Sequence, residues 1–126
     1  IEQFIIDELS KSYYDGITIL GGDPMEPENQ EPVLQLLRRI KKELSDKNVW
    51  AYTGYVYDRD LVPGGKRFVD GVTRELLESI DILIDGRFVE ELKNLMLNFR
   101  GSSNQRIIKM KETLETGEVV LSELNN

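Results

Sequence analysis

Three short apolar runs, each stopped by a glycine-bearing turn, constrain the fold of this chain more than any other feature. Ile17-Thr18-Ile19-Leu20 stops at Gly21-Gly22-Asp23-Pro24, Val49-Trp50-Ala51-Tyr52 at Thr53-Gly54, and Ile82-Leu83-Ile84 at Asp85-Gly86. Runs this short, rich in β-branched and aromatic residues, read as buried strands rather than helices. Their glycines lie 33 and 32 residues apart, the length of one strand, one helix and the connecting loops. Residue identities do not repeat, so the period is architectural. Strands that alternate with helices imply parallel pairing through right-handed crossovers. The expected class is therefore α/β, built from parallel βα units, as a single domain over residues 1–126.

The segments between the strands supply the helices. Ile1, Phe4, Ile5, Leu9 and Tyr13 have helical spacing over residues 1–15, with Gly16 as a stop. A second helix is expected to open near Pro32, since proline suits a first-turn position. Val33, Leu36, Leu37, Ile40 and Leu44 form its apolar stripe, and Arg38, Arg39, Lys41 and Lys42 its solvated face. Residues 73–80 give a short helix with Leu76, Leu77 and Ile80 inward. Pro63-Gly64-Gly65 breaks the stretch from Tyr55 to Gly71, which reads as an irregular surface excursion. After the third strand a short helix is expected over 90–97, with Leu92, Leu95 and Met96 on one side. A capping box at Ser102 and Gln105 would open a further helix through Ile107, Ile108 and Leu114 to Gly117. Val119-Val120-Leu121 reads as a last edge strand.

Composition narrows the chemistry. The 126 residues include 16 Lys and Arg against 23 Asp and Glu, a net charge of −7, with neither cysteine nor histidine. A chain of this length buries roughly two thirds of its unfolded surface, enough for one core. Without Cys or His these residues cannot form a disulfide, a zinc finger, a thiol nucleophile, a Ser-His-Asp triad or an iron–sulfur ligand set. The acidic balance disfavours nucleic acid as a partner. No apolar run reaches the roughly 18 residues of a membrane span and no signal peptide is visible, so a cytoplasmic location without membrane attachment is expected. The chain opens Ile1-Glu2-Gln3 without methionine, which points to a missing front segment.

Ligands of parallel α/β folds sit where loops converge at the carboxyl ends of the strands. Gly21, Gly22, Asp23, Pro24, Tyr52, Thr53, Gly54, Asp85, Gly86 and Arg87 fall there, with the Gly101–Gln105 run nearby. Two glycines allow close backbone approach, and Asp23 adds an acceptor for an ammonium or hydroxyl group; a tight turn with Asp23 as cap explains the same residues. Asp85 and Arg87, one residue apart, suit a zwitterion or one another. Tyr52 and Tyr55 either stack on a purine or fill the rim. Neither GxGxxG nor a P-loop lysine is present. The residues themselves lead to a polar pocket for a small zwitterionic or nucleoside-like ligand.

The same residues carry a resemblance. Thr18–Pro24, Val49–Tyr55, Ile82–Phe88 and Phe99–Arg106 occur in an order that resembles the activating proteins of anaerobic ribonucleoside-triphosphate reductase, glycyl-radical-activating radical S-adenosylmethionine (SAM) enzymes. The likeness runs from about Ile1 to Ile108. It implies part of an incomplete TIM-like (βα) barrel of radical SAM type with its N-terminal unit missing. It implies SAM binding by Gly21, Gly22, Asp23, Pro24, Tyr52, Thr53, Gly54, Asp85, Arg87 and Asn104. The chemistry implied is formation of a glycyl radical on the large reductase subunit through a 5′-deoxyadenosyl radical, with an electron donor such as a flavodoxin. The family's Cys-x3-Cys-x2-Cys loop for a [4Fe–4S] cluster has no counterpart in this chain, so its ligands would lie outside it and the chain alone would be inactive. A truncated front explains that departure. The alternative is a cluster-free, non-enzymatic relative that binds the reductase or a nucleoside as a regulator.

Overall fold

The computed structural model describes residues 2–12 and 14–126. Helix α1 (Glu2–Leu9) leads to strand β1 (Gly16–Ile19), followed by α2 (Pro27–Glu43), β2 (Asn48–Tyr52), a single turn α3 (Tyr57–Asp60), α4 (Thr73–Glu78) and β3 (Ile82–Asp85). A 3-10 turn (Glu90–Leu92), β4 (Arg106–Lys109) and α5 (Met110–Thr116) complete the order. The sheet runs β1-β2-β3-β4. β1 with β2 and β2 with β3 are parallel, as the glycine period requires. β3 and β4 are antiparallel, in the register Leu83↔Ile108 and Asp85↔Arg106. The result is an α/β domain on a mixed four-stranded sheet.

Successive strands are laid down in one direction, so both crossovers place their helices on the same face of the sheet. Leu34, Leu37 and Ile40 of α2, with Leu76 and Leu77 of α4, pack there on Val49, Ala51, Leu83 and Ile108. Alternation sends Trp50 and Tyr52 to the opposite face. Trp50, expected in the core, is only half-buried there, and its ring meets Phe99 edge-on at 5.0 Å.

Several expectations are corrected. α2 begins at Pro27, and Pro32 lies inside it. The first proline takes the position that needs no N–H, and the buried Gln30 extends the inward face back past the apolar stripe. α1 ends at Leu9, short of residue 15; Ile1 and Tyr13 lie outside the described residues. The region expected as a helix over 90–97 holds one 3-10 turn, and Leu92, Leu95 and Met96 are exposed rather than packed.

The capping box opens no helix. The Gln105 side-chain oxygen accepts from the backbone N–H of Gly101 and of Ser102, at 2.9 and 3.1 Å, and so closes a loop. Ile107 and Ile108 continue as the antiparallel strand, because Ile84 and Leu83 stand opposite them; the helix starts only at Met110 and ends at Gly117 as expected. Leu121 makes an isolated bridge to Ile108 in place of the expected edge strand. The excursion after β2 is also more than surface. Asp60 and Leu61 within it are each 1 % exposed.

Candidate active site

A cavity of about 710 Å3 opens beyond the carboxyl ends of β1, β2 and β3. It continues into a shallower arm of about 280 Å3. Asp23, Gly54, Gly86 and Arg87 line both. Asp85 and Asn104 line the larger space, and Gly21, Tyr52 and Thr53 the arm. The structure thus brings together every expected SAM-binding residue except Gly22 and Pro24, which line neither space.

That turn needs its glycines. Gly21 and Gly22 have φ of +77° and +47° in succession, a left-handed pair that side chains with a Cβ rarely adopt. Asn29 fastens the turn to α2 by donating to the carbonyls of Gly22 and Asp23, at 2.8 and 3.0 Å.

Asp23 ties this turn to the next one. Its Oδ1 accepts from the backbone N–H of Met25 at 3.0 Å and from the Thr53 hydroxyl at 2.8 Å. Its Oδ2 accepts from the Gly54 N–H at 2.8 Å. Thr53 in turn donates its own N–H to the carbonyl of Ile84 at 3.0 Å. The Asp23 carboxylate and the Thr53 hydroxyl thereby join the first two strand ends, and the Thr53 N–H joins them to the third. The chemical consequence is a rigid floor whose polar groups are largely committed to one another.

Asp85 is 1 % exposed and pairs with a residue the sequence left aside. Its carboxylate accepts from Arg106 Nη2 at 2.6 Å and Nε at 3.0 Å, and from the Tyr57 N–H at 2.7 Å. Of the two readings of Asp85 and Arg87, partners for a zwitterion or for one another, the second does not form: Gly86, at φ +101°, swings the chain away after the strand. Arg106 also donates to Asp58 at 2.8 Å. That hydrogen bond holds the Asp58 carboxyl below the usual carboxylate range, and Asp85 above all raises the pKa of Arg106.

Arg87 is left exposed on the wall shared by both spaces, and its guanidinium has no ion-pair or hydrogen-bond partner among the described residues. Its backbone is fixed instead, since Asn104 Nδ2 donates to the Arg87 carbonyl at 2.7 Å. Tyr55 has Arg67 at 4.8 Å from its ring centroid and Lys66 at 5.7 Å, an arrangement of cation–π type. The Tyr52 hydroxyl donates to the Phe99 carbonyl at 2.7 Å, and partial burial raises the Tyr52 pKa. Phe99 itself has φ +57°, unusual for a residue with a side chain.

Arg59, Lys66 and Arg106 also line the cavity, and sequence reasoning passed over all of them as site residues. Arg106 was discoverable only through the pairing of β4 with β3, which sets it opposite Asp85. Among the described residues no group of three or more acidic, Cys or His side chains has the arrangement of a metal site. No helix there is long and apolar enough to cross a membrane.

A family model for the 4Fe-4S single cluster domain matches residues 1–108 of this frame. The chain belongs to that family. Its curated relatives are named anaerobic ribonucleoside-triphosphate reductase-activating proteins. That of Haemophilus influenzae is 39% identical over 113 residues, covering 88% of this chain and 67% of the relative. That of Escherichia coli K12 is 36% identical over 107 residues, 83% of this chain and 64% of the relative. That of Enterobacteria phage T4 is 36% identical over 103 residues, 82% of this chain and 58% of the relative. The chain therefore spans about three fifths of these relatives. No solved structure matches it.

The family's cluster does not fit the donors present. Iron–sulfur clusters are held by thiolates, with histidine the occasional substitute, and this sequence has 0 Cys and 0 His. A 4Fe-4S cluster can join this fold only through ligands these 126 residues do not supply.

Proposed function

We propose that this chain is the SAM-binding side of a radical SAM activase that places a glycyl radical on the large subunit of anaerobic ribonucleoside-triphosphate reductase. The observation that carries the reading is the alignment with the reductase-activating proteins across 82–88% of this chain, beside a family match over residues 1–108 that includes every turn around the cavity. The one-sided run β1-α2-β2-α4-β3 also has the form of a barrel wall rather than a doubly wound sheet, which supports part of a TIM-like barrel. SAM, when bound, supplies the oxidant for hydrogen abstraction. Its reductant, a donor such as a flavodoxin in the cytoplasm, acts outside these residues.

What this chain's own groups do is bind and orient. Arg87, exposed and unpaired, takes the carboxylate of the amino-acid moiety through charge-assisted hydrogen bonds. The Gly21 backbone, on the arm of the cavity, lies where an ammonium group can approach a carbonyl without a side chain in the way. Asp23, Thr53 and Asn104 hold these groups in place through the bonds described above. Asp85 serves by neutralising Arg106 and fixing the Tyr57 backbone, rather than by meeting the ligand.

Calorimetric titration of SAM into the protein tests the reading directly. Saturable binding is expected, weakened about tenfold or more in Arg87→Ala, the loss of a charged hydrogen bond. No SAM binding by the wild-type protein, together with no 5′-deoxyadenosine from the complete, iron–sulfide-reconstituted gene product, overturns it.

A further inference from the structure

The connection from β3 to β4 exposes apolar side chains as no other part of the described molecule does. Phe88, Leu92, Leu95, Met96 and Phe99 fall within twelve consecutive positions, and Leu95 and Met96 are 89% and 81% exposed. Such exposure, concentrated in one place, marks an interaction surface.

The segment is built, not frayed. Lys93 bridges Ser102 in antiparallel fashion, the Asn94 N–H donates to the Gly101 carbonyl at 3.1 Å, and the Ser103 N–H to that of Leu92 at 3.0 Å. At the tip, the Met96 N–H donates to Asn94 Oδ1 at 2.9 Å, and the Met96 carbonyl accepts from Asn126 Nδ2 at 3.0 Å. With these main-chain groups satisfied, recognition has to run through the side chains rather than by strand addition. A preformed apolar surface also binds at lower ordering cost than a floppy one.

Its base is continuous with the candidate site. Phe88 lines the arm beside Gly21, Tyr52 and Arg87. Phe99 leans on Trp50 and accepts the Tyr52 hydroxyl. The patch that ends at Leu95 and Met96 thus begins at the wall of the candidate site. Charges of both signs, Glu90 and Glu91 against Lys93 and Arg100, lie within the same stretch, so the apolar side chains rather than net charge select the occupant.

We infer that the Phe88–Phe99 loop is the docking surface for the reductase polypeptide, gripping an apolar segment of it through Leu95 and Met96. This rests on the function proposed above, in which the substrate is itself a protein backbone.

The test uses the complete gene product, with its partner the purified large reductase subunit, and the double variant Leu95→Asp/Met96→Asp. Affinity for the reductase is expected to fall about 30-fold or more, as for the anchors of an interface. SAM affinity and the thermal melt should stay at wild-type values. Phe4→Asp, an equally apolar surface site on α1, should leave reductase affinity unchanged. Should the aspartates perturb folding, Leu95→Ser/Met96→Ser carries the same expectation.

Wild-type reductase affinity in a folded double variant overturns the docking surface and leaves the proposed function standing. A wild-type enzyme that binds SAM but not the reductase overturns both. Sedimentation showing a wild-type dimer that the double variant dissociates assigns the loop to a second copy instead, and also overturns the proposal.

Discussion

Two long irregular connections wall the cavity, and they are held in opposite ways. The one after β2, residues 53–72, turns its side chains inward. Leu61 enters the core, Asp60 accepts from the Val56 N–H at 2.9 Å, and the buried Thr73 and Gln30 secure its far end. Gln30 Nε2 donates to the carbonyls of Met25 and Arg67, at 2.9 and 2.8 Å, so one amide joins the first strand-end turn to the excursion. The connection after β3, residues 86–105, is fastened through its own backbone and by Gln105, whose Nε2 donates to the Gly86 carbonyl at 3.0 Å. Its apolar side chains are left outside. A loop that spends its hydrophobic residues on the core is a wall; one that withholds them has a surface to offer.

The sharpest way to break this contrast is to truncate one leucine in each loop. Leu61→Ala should cost about 2–5 kcal/mol of unfolding free energy, as for a fully buried leucine. Leu95→Ala should stay within about 0.5 kcal/mol, as for an exposed site. Equal losses in urea unfolding would show that the two loops are held alike.

A smaller effect is expected at the polar end of the first wall. Thr73 Oγ1 donates to Gln30 Oε1 at 2.5 Å and accepts from the Val69 N–H at 2.8 Å. Thr73→Val strands both partners in a dry setting, at about 1–3 kcal/mol. An unfolding midpoint equal to wild type would mean that this network does not anchor the excursion.

The smallest effect is electrostatic and confined to acid. Arg59 holds Asp60, and Arg106 holds Asp58, below the ordinary carboxylate pKa in the folded state. Depressed folded-state values mean a contribution fully present above the unfolded pKa of about 4. It is lost as pH falls through the lower folded values. Thermal melts should therefore be level from about pH 5.5 to 7, where no histidine titrates, and fall below about pH 4. Asp58→Asn should make the acid limb shallower; an unchanged limb would remove Asp58 from the account.

The strands and the turns that end them at the cavity were legible because glycine and β-branched residues act locally, at Gly21, Gly54 and Gly86. The fourth strand was not. Ser102 and Gln105 satisfy the hydrogen-bond logic of a helix start and of a closed loop equally well, and Ile107-Ile108 suits either period. Only Leu83 and Ile84 across the sheet decide between them. The hidden pairing of Asp85 with Arg106 follows from that same register, so one misread element concealed the central ion pair of the site. Leu95 and Met96 misled for a related reason: helical spacing of apolar residues normally reports a core, and here it reports an exposed surface.

The backbone of Phe99 has one more consequence. A left-handed residue with a side chain costs roughly 1–2 kcal/mol, so a library sorted for heat resistance alone should enrich Phe99→Asn or Phe99→Gly early. Those survivors would lose the ring that covers Trp50. Thermal selection and selection for the docking proposed above should therefore pull this codon in opposite directions.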